Sequence, residues 1–132
     1  MGIIRTNTIM HGRNLVDIAA FDGGSGNAHF KCWSAGGSAS GVLLADITLQ
    51  KPSFVDVNGV MTAQGFSSPV QFVGLSTEQA ESWEISDSAG VVHWKNMTAD
   101  TAAGPGVVVV MDTLDIREDQ LGQVTGIVVT HG

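Results

Sequence analysis

The chain has 132 residues and a formal net charge of −7, and 43% of its residues are hydrophobic whereas only 14% are charged. This length predicts one domain with one core. Because only 6 residues are Lys or Arg, and affinity for phosphates comes from clustered basic side chains, a nucleic-acid partner is not expected. No apolar run reaches the length of a membrane span, so no membrane partner is expected either.

Residues 1–12 are predicted to form an N-terminal arm ahead of a single β-domain, residues 13–132. Polar and basic residues stand where a secretory signal would have its apolar centre, so export by that route is not expected. The arm has no evident fold of its own, and a terminus without a fixed partner is the alternative interpretation. Four residues of the arm are candidate partner-binding residues, three as apolar anchors and one as a charged contact: Ile3, Ile4, Ile9 and Arg5.

The segment GRNLVDIAAFDGG, which starts at Gly12, predicts a short helix. Leu15, Ile18 and Ala19 have the spacing of one helical face, and glycines bound the segment on both sides. The glycine-rich stretch that follows predicts a turn. It lacks the lysine and the strand-to-helix setting of a phosphate-binding loop.

Strand patterns begin after this turn. HFKCWS alternates and places Phe30 and Cys32 on one face, and VLLADITLQ then continues as a strand until Pro52, which cannot donate to a sheet ladder. Asn58 and Gly59 separate FVDV from VMTA, and this dipeptide is typical of a two-residue hairpin turn. The first half therefore predicts two strands and a hairpin.

The second half continues this pattern. SPVQFVGL is an apolar run, and WEISDSAGVVHW is typical of a hairpin with Trp83 and Ile85 on its apolar face. The valines of VVVVMDTLDI indicate a strand covered on both faces, and a last strand is expected from Gln123 to Thr130. About seven to eight strands predict an all-β fold, a β-sandwich or jelly-roll-like fold with a short N-terminal helix.

Two segments contain residue types that bind metal ions. His29 and Cys32 have the spacing of half a zinc site, but an alternating strand points them to opposite faces, and the other histidines show no ligand spacing. The segment Asp112–Asp119 crowds carboxylates around Arg117 without the spacing of an EF-hand loop. We therefore predict no metal site and no cofactor, and the sequence leaves calcium binding at Asp112–Asp119 open.

No residue pattern typical of catalysis is evident, so we predict that the chain is not an enzyme. A G-x-S-x-G nucleophile elbow is absent. A pair of glycosidase carboxylates is defined by separation in space and stays an open alternative. Trp33, Trp83 and Trp94 either form an aromatic recognition platform or, as tryptophans more often do, pack in the core. Cys32 is the single cysteine, as is typical of a protein made in a reducing cytoplasm.

The order of the segments resembles a family of small structural proteins of tailed bacteriophages. The motifs that carry the resemblance are GVLLADITLQKPSF, NGVMTAQG, ESWEISDSAGVVHW and LGQVTGIVVTHG, and they extend over most of the chain. The most specific element is a W-x-I-x-D-S-x-G motif formed by Trp83, Ile85, Asp87, Ser88 and Gly90. The resemblance implies a structural role in the virion.

The resemblance leads us to expect a capsid decoration (cement) protein that binds the shell surface as an oligomer. Its partners would be the major capsid protein or another virion protein, together with further copies of the chain, a trimer being one option. A small tail, collar or fibre component is the first alternative, and a host-surface or carbohydrate-binding module is the second. The protein would be made in the host cytoplasm and located in the virion.

Overall fold

The structure is a computed structural model that describes residues 7–57, 60–65, 69–102, 104 and 108–127, with only the backbone described at 7–12, 60 and 62. Within these ranges the chain forms two helices, α1 (Asn7–Phe21) and α2 (Gly37–Ser40). The strands of these ranges are, in chain order, β1 (His29–Trp33), β2 (Leu43–Thr48), β3 (Phe54–Val57), β4 (Val60–Ala63), β5 (Val70–Val73), β6 (Glu78–Gln79), β7 (Ser82–Ser86), β8 (Val92–Asp100), β9 (Val109–Met111), β10 (Asp115–Ile116) and β11 (Leu121–Ile127). The prediction of an all-β fold with a short N-terminal helix is confirmed.

Seven strands form one sheet in the order β2-β1-β7-β8-β9-β11-β5. Neighbours are antiparallel except for β8 and β9, which run parallel. The sheet curls so far that its two edge strands, β2 and β5, approach each other. The Leu75 N–H, just after β5, donates to the carbonyl of Leu44 in β2 at 2.9 Å. The sheet is therefore nearly closed, which gives the predicted sandwich a barrel-like form.

The interior of the curled sheet is filled around Trp83 of β7. Its indole stacks on Phe30 of β1 with ring centroids 4.2 Å apart, and it meets Phe72 of β5 edge-on at 5.9 Å. The indole N–H also donates to the sulfur of Met111 at 3.3 Å. Trp83 and Phe30 are completely buried. One side chain thus joins strands from both halves of the sheet.

Helix α1 packs against the hairpin of β3 and β4 and against β8. Phe21 contacts Phe54 at 5.6 Å and Trp94 at 5.0 Å, centroid to centroid. At the other end of the contact, the Asn14 side-chain amide donates to the Asp56 carboxylate at 2.6 Å. The helix therefore covers apolar side chains that the sheet leaves outside its interior.

The predicted extent of the helix and the face that it buries both need correction. The helix begins at Asn7 rather than near Gly12, so the second half of the predicted arm is helical. It buries Asn14 and Phe21 completely, whereas Leu15 is 49% exposed. Of the three residues with helical spacing, Ile18 packs against the core, whereas Leu15 and Ala19 are exposed. The bond from Asn14 to Asp56 and the large ring of Phe21 orient the helix in this way.

The predicted strands are present with small changes of extent. Val57 pairs with Val60, as expected for the two-residue hairpin, although Asn58 and Gly59 themselves lie outside the described residues. The last strand is β11, which begins at Leu121, and residues 128–132 lie outside the described residues. In β9, Val109 and Met111 are buried, but Val110 between them is only half-buried, so the strand is not fully covered on both faces.

The Phe72 ring lies directly against Gly122 of β11, which has no side chain. A Cβ at position 122 would lie 2.5 Å from the tip of the ring. Gly122→Ala should therefore lower the free energy of unfolding by about 1–3 kcal/mol through overpacking, measured by urea denaturation. Gly126→Ala on the same strand is the matched control, because its Cβ would meet no atom within 4 Å. Adding Phe72→Leu should reduce the cost of Gly122→Ala, and equal stability of the two alanine variants would contradict the assigned packing.

Candidate functional site

The turn between β7 and β8 contains the most specific motif of the sequence. The Asp87 carboxylate oxygen Oδ1 accepts the backbone N–H groups of Ala89 and Val91 at 2.9 and 3.0 Å. Gly90 has a φ of 89°, in the left-handed region that favours glycine. Asp is common in such turns because its carboxylate accepts backbone N–H groups, and Gly is common because it adopts a positive φ. The Asp and Gly of the motif therefore define the turn.

The other motif residues connect this turn to the rest of the fold. The Ser88 hydroxyl donates to the Gly23 carbonyl at 3.2 Å, and a Cβ at Gly24 would lie only 2.4 Å from that hydroxyl oxygen. The turn therefore packs closely on the loop between α1 and β1. Trp83 and Ile85 are both completely buried. Each residue of the motif has a role in the fold, so the motif identifies a hairpin rather than a reactive site.

Asp87 also pairs with His93 across the hairpin. Oδ2 of Asp87 lies 2.9 Å from Nε2 of His93, and the imidazole packs on Phe21 with centroids 6.3 Å apart. The hydrogen bond from His93 holds the pKa of Asp87 below its ordinary value, and the backbone N–H of Val91 adds to the effect. A His–Asp pair is part of many catalytic triads. Here the nearby hydroxyl of Ser88 donates to a carbonyl instead, and the pair stabilises the turn.

The candidate partner-binding residues lie at the N-terminus. Ile3, Ile4 and Arg5 fall outside the described residues, and Ile9 lies in α1 without a described side chain. The structure therefore does not test these four assignments.

Between residues 13 and 21, the outward side of α1 is largely apolar, with exposed Arg13 as a charged neighbour. The sequence patterns did not indicate this feature. Val16 is 70% exposed and Leu15 is 49% exposed, and Ala19 lies with them on the exposed side. These three residues form what we call the outer helix surface. A surface helix normally presents charged or polar side chains to water. An apolar outward side is therefore a candidate contact for another protein.

A second candidate surface lies on the outside of strands β5, β11 and β9. Val73 and Leu121 are paired across β5 and β11 and are 51% and 66% exposed. Buried residues alternate with the outward ones, as in a sheet with one face on the core. We call the outward residues of these strands the uncharged sheet face; they are Gln71, Val73, Val110, Leu121, Gln123 and Thr125.

The three tryptophans do not form a recognition platform. Trp83 is completely buried inside the sheet, and Trp94 is partly buried against Phe21 at 5.0 Å in an edge-on contact. Trp33 is also partly buried, with its indole nitrogen shielded from water. The core-packing interpretation is therefore right for Trp83 and Trp94.

The candidate metal ligands do not converge. Cys32 is buried, which raises the pKa of its thiol to about 12, whereas His29 lies on the outer face and pairs with Asp46 at 2.8 Å. In the acidic segment, Asp112 accepts the Gln123 N–H at 3.0 Å and Asp115 pairs with Arg117 at 3.2 Å. Among the described residues, no three His, Cys, Asp or Glu side chains are grouped to hold a metal ion.

The hollows on the described part of the protein include two open ones. One measures about 230 Å³ and lies between Phe72 and the Asp115–Arg117 pair, and the other measures about 210 Å³ beside Leu114. Small-molecule sites typically measure about 300–1,000 Å³. Both are smaller than that range, so the surfaces are better candidates for function than these two hollows.

Comparison with known proteins adds no relative. No family model, no curated protein and no solved structure matches the chain. Over the ranges that the structure describes, neither helix has the length and apolar character needed to cross a membrane. The function therefore has to be inferred from the surfaces.

The pair of Asp87 and His93 makes a prediction about pH. Because folding lowers the pKa of Asp87, the pair contributes stability above the ordinary carboxyl pKa of 3.8 and loses it as the pH falls through the lower folded value. His93→Ala should raise the Asp87 pKa toward 3.8, measured by NMR titration of its side-chain carboxyl carbon. His29→Ala, which removes the pair of His29 with Asp46, should leave that titration unchanged. An unchanged Asp87 pKa in His93→Ala would mean that backbone N–H groups alone lower it.

Proposed function

We propose that the chain is a bacteriophage virion structural protein that decorates the capsid. In this proposal the outer helix surface and the arm that precedes it attach the β-domain to the major capsid protein. The proposal joins two independent indications. One is the resemblance of the sequence motifs to small structural proteins of tailed phages, and the other is an exposed apolar surface next to the predicted arm.

The outer helix surface is the observation that carries the proposal. Val16 and Leu15 together expose two large apolar side chains on a helix that is anchored on its opposite side by Phe21. Burying one such side chain contributes about 1.5–3 kcal/mol. Burial of Leu15 and Val16 would therefore give each copy only a modest affinity for its site. Such a contact suits a protein that occupies many equivalent sites and gains avidity from its neighbours.

The rest of the domain supports a passive rather than a chemical role. Its interior is occupied by packed aromatic side chains, with Trp83 in contact with both Phe30 and Phe72. Aromatic packing of this kind resists deformation because protein interiors are close-packed. A rigid module with an apolar attachment helix is what a particle surface requires.

A tail, collar or fibre component would use the same surface chemistry at a different place in the particle. Copy number separates the two locations, because a shell protein follows the icosahedral symmetry of the capsid whereas a tail protein follows the axial symmetry of the tail. Quantitative mass spectrometry of purified virions of the phage that encodes the chain measures this ratio. We expect one copy per capsid subunit, or a simple fraction of that number set by the shell symmetry. A few copies per particle would indicate the tail, and absence from virions would contradict both.

The attachment surface can be tested with Val16→Glu, which places a charge on the outer helix surface. Glutamate suits an exposed helix position, so the fold should be retained. The variant should bind to particles lacking the protein at least tenfold more weakly than the unmodified chain, because a carboxylate would be desolvated at the contact. Cosedimentation with particles measures this binding.

Val91→Glu is the matched control for the attachment test, since Val91 is 55% exposed in the turn between β7 and β8 and is not part of the outer helix surface. It makes the same change in charge and should bind as the unmodified chain does. Equal binding by Val16→Glu and the unmodified chain would contradict attachment through α1. An equal loss of particle binding in Val16→Glu and Val91→Glu would indicate that an added negative charge weakens binding wherever it is placed.

A further inference from the structure

Glu84 of β7 is a buried carboxylate on the outer face of the main sheet. Its neighbours Trp83 and Ile85 are completely buried in the interior, so alternation along the strand places Glu84 on the opposite face. Only 4% of Glu84 is exposed, and no other charged side chain that the structure describes is buried. None of the described basic side chains forms an ion pair with it. Because burial of a charge without partners is costly, the group that covers Glu84 needs an explanation.

Glu84 is covered by residues 35–41, which contain α2 and which we call the α2 loop. The Ser38 hydroxyl donates to Oε2 of Glu84 at 3.1 Å, and the backbone N–H of Ser38 lies 3.5 Å from the same oxygen. A Cβ at Gly37 would lie 3.3 Å from that oxygen, so the loop is in direct contact with the carboxylate. Within the described residues, Ser38 makes the side-chain hydrogen bond that ties the loop to the sheet.

The α2 loop has no apolar anchor of its own. None of the four residues of α2 is buried, so no side chain of the helix packs into a core. The backbone bonds of the helix close within the loop, because the Gly41 N–H donates to the Gly37 carbonyl at 2.8 Å and the Ser40 N–H donates to the Gly36 carbonyl at 3.3 Å. These bonds are retained if the loop moves as one piece. The hydrogen bond from Ser38 to Glu84 is therefore the main attachment of the helix to the sheet.

The base of the α2 loop, in contrast, is fixed. The Ser34 N–H donates to the Val42 carbonyl at 3.0 Å, and the Val42 N–H donates to the Ser34 hydroxyl oxygen at 2.8 Å. Gly36 has a φ of 100° and Gly41 stands at the other end of the helix, so a glycine separates the helix from the base on each side. Because glycine adopts the widest range of backbone angles, both positions suit a hinge.

From this arrangement we propose that the α2 loop is a lid that opens over Glu84 while its base stays closed. Trp33 lies on the same outer face, since Trp33 pairs with Ser82 and Lys31 pairs with Glu84. The indole N–H of Trp33 is shielded from water and has no acceptor among the described residues. A shielded donor without an acceptor destabilises the closed arrangement. The lid thus controls access to the Glu84 carboxylate, and this inference does not rest on the proposed role in the virion.

Labelling of carboxyl groups with a water-soluble carbodiimide and glycine ethyl ester, measured by peptide mass spectrometry, tests the lid. Glu84 should react more slowly than exposed Glu81, which serves as the internal reference. Ser38→Ala should raise the labelling rate of Glu84 about tenfold, because it removes a hydrogen bond to a charged group that only the closed lid makes. The rate at Glu81 should stay unchanged. Equal labelling of Glu84 in Ser38→Ala and the unmodified chain would overturn the inference.

Ser40→Ala is the matched control, because it removes a hydroxyl from the same helix at a position without a described bond to the sheet. It should label as the unmodified chain does, and Ser38→Thr, which keeps a hydroxyl, should restore the protection of Glu84. An equal gain of labelling in Ser40→Ala and Ser38→Ala would overturn the assignment of the tie to Ser38.

Cys32 separates opening of the lid from unfolding of the domain. It is completely buried on the inner face of β1, so its thiol should stay protected from a thiol reagent in every variant. A rise in Cys32 reactivity that parallels the rise at Glu84 would mean that the whole domain opens, and it would overturn the lid. These variants leave the outer helix surface unchanged, so the lid and the proposed attachment to the capsid can fail separately.

Discussion

The contact between Trp83 and Phe72 is the constraint on which the rest of the fold depends. Trp83 lies on β7 and Phe72 on β5, and strands β8, β9 and β11 separate them in the sheet. Their rings can meet at 5.9 Å only because the sheet curls back on itself. Curling brings the edge strands together at Leu44 and Leu75. Gly122 permits the arrangement by leaving room for the Phe72 ring.

The sequence predicted best those features whose determinants are close together in the chain. The turn at Asp87 and the pairing of Val57 with Val60 depend on local backbone requirements that Asp-Ser-x-Gly and Asn-Gly satisfy. The outward side of α1 could not be predicted in this way. It depends on a hydrogen bond between Asn14 and Asp56, which are 42 positions apart. A periodic pattern contains no information about such a partner.

The two candidate surfaces could not be predicted from the sequence either, because both depend on contacts between distant segments. The absence of charge in β5, β9 and β11 can be read from the sequence, but their adjacency follows only from pairings such as that of Val73 with Leu121. Likewise, Val16 has the side chain of a core residue, and it is the packing of Phe21 and the bond from Asn14 to Asp56 that turn it outward. The motifs therefore predicted where the hairpins lie, whereas the surfaces required the folded sheet.

The pairing of β5 with β11 affects how the chain acquires its structure during synthesis. Each of the hairpins β1–β2, β3–β4 and β7–β8 can form as soon as its two strands have been made. Strand β5 has to wait, because Leu121 follows its partner Val73 by 48 residues. Until then its valines and backbone groups are an unprotected edge, the kind of segment on which nascent chains aggregate. Strand β5, which has no charged side chain, thus stays unpaired for the longest part of synthesis. During that time it is accessible to chaperones at the ribosome.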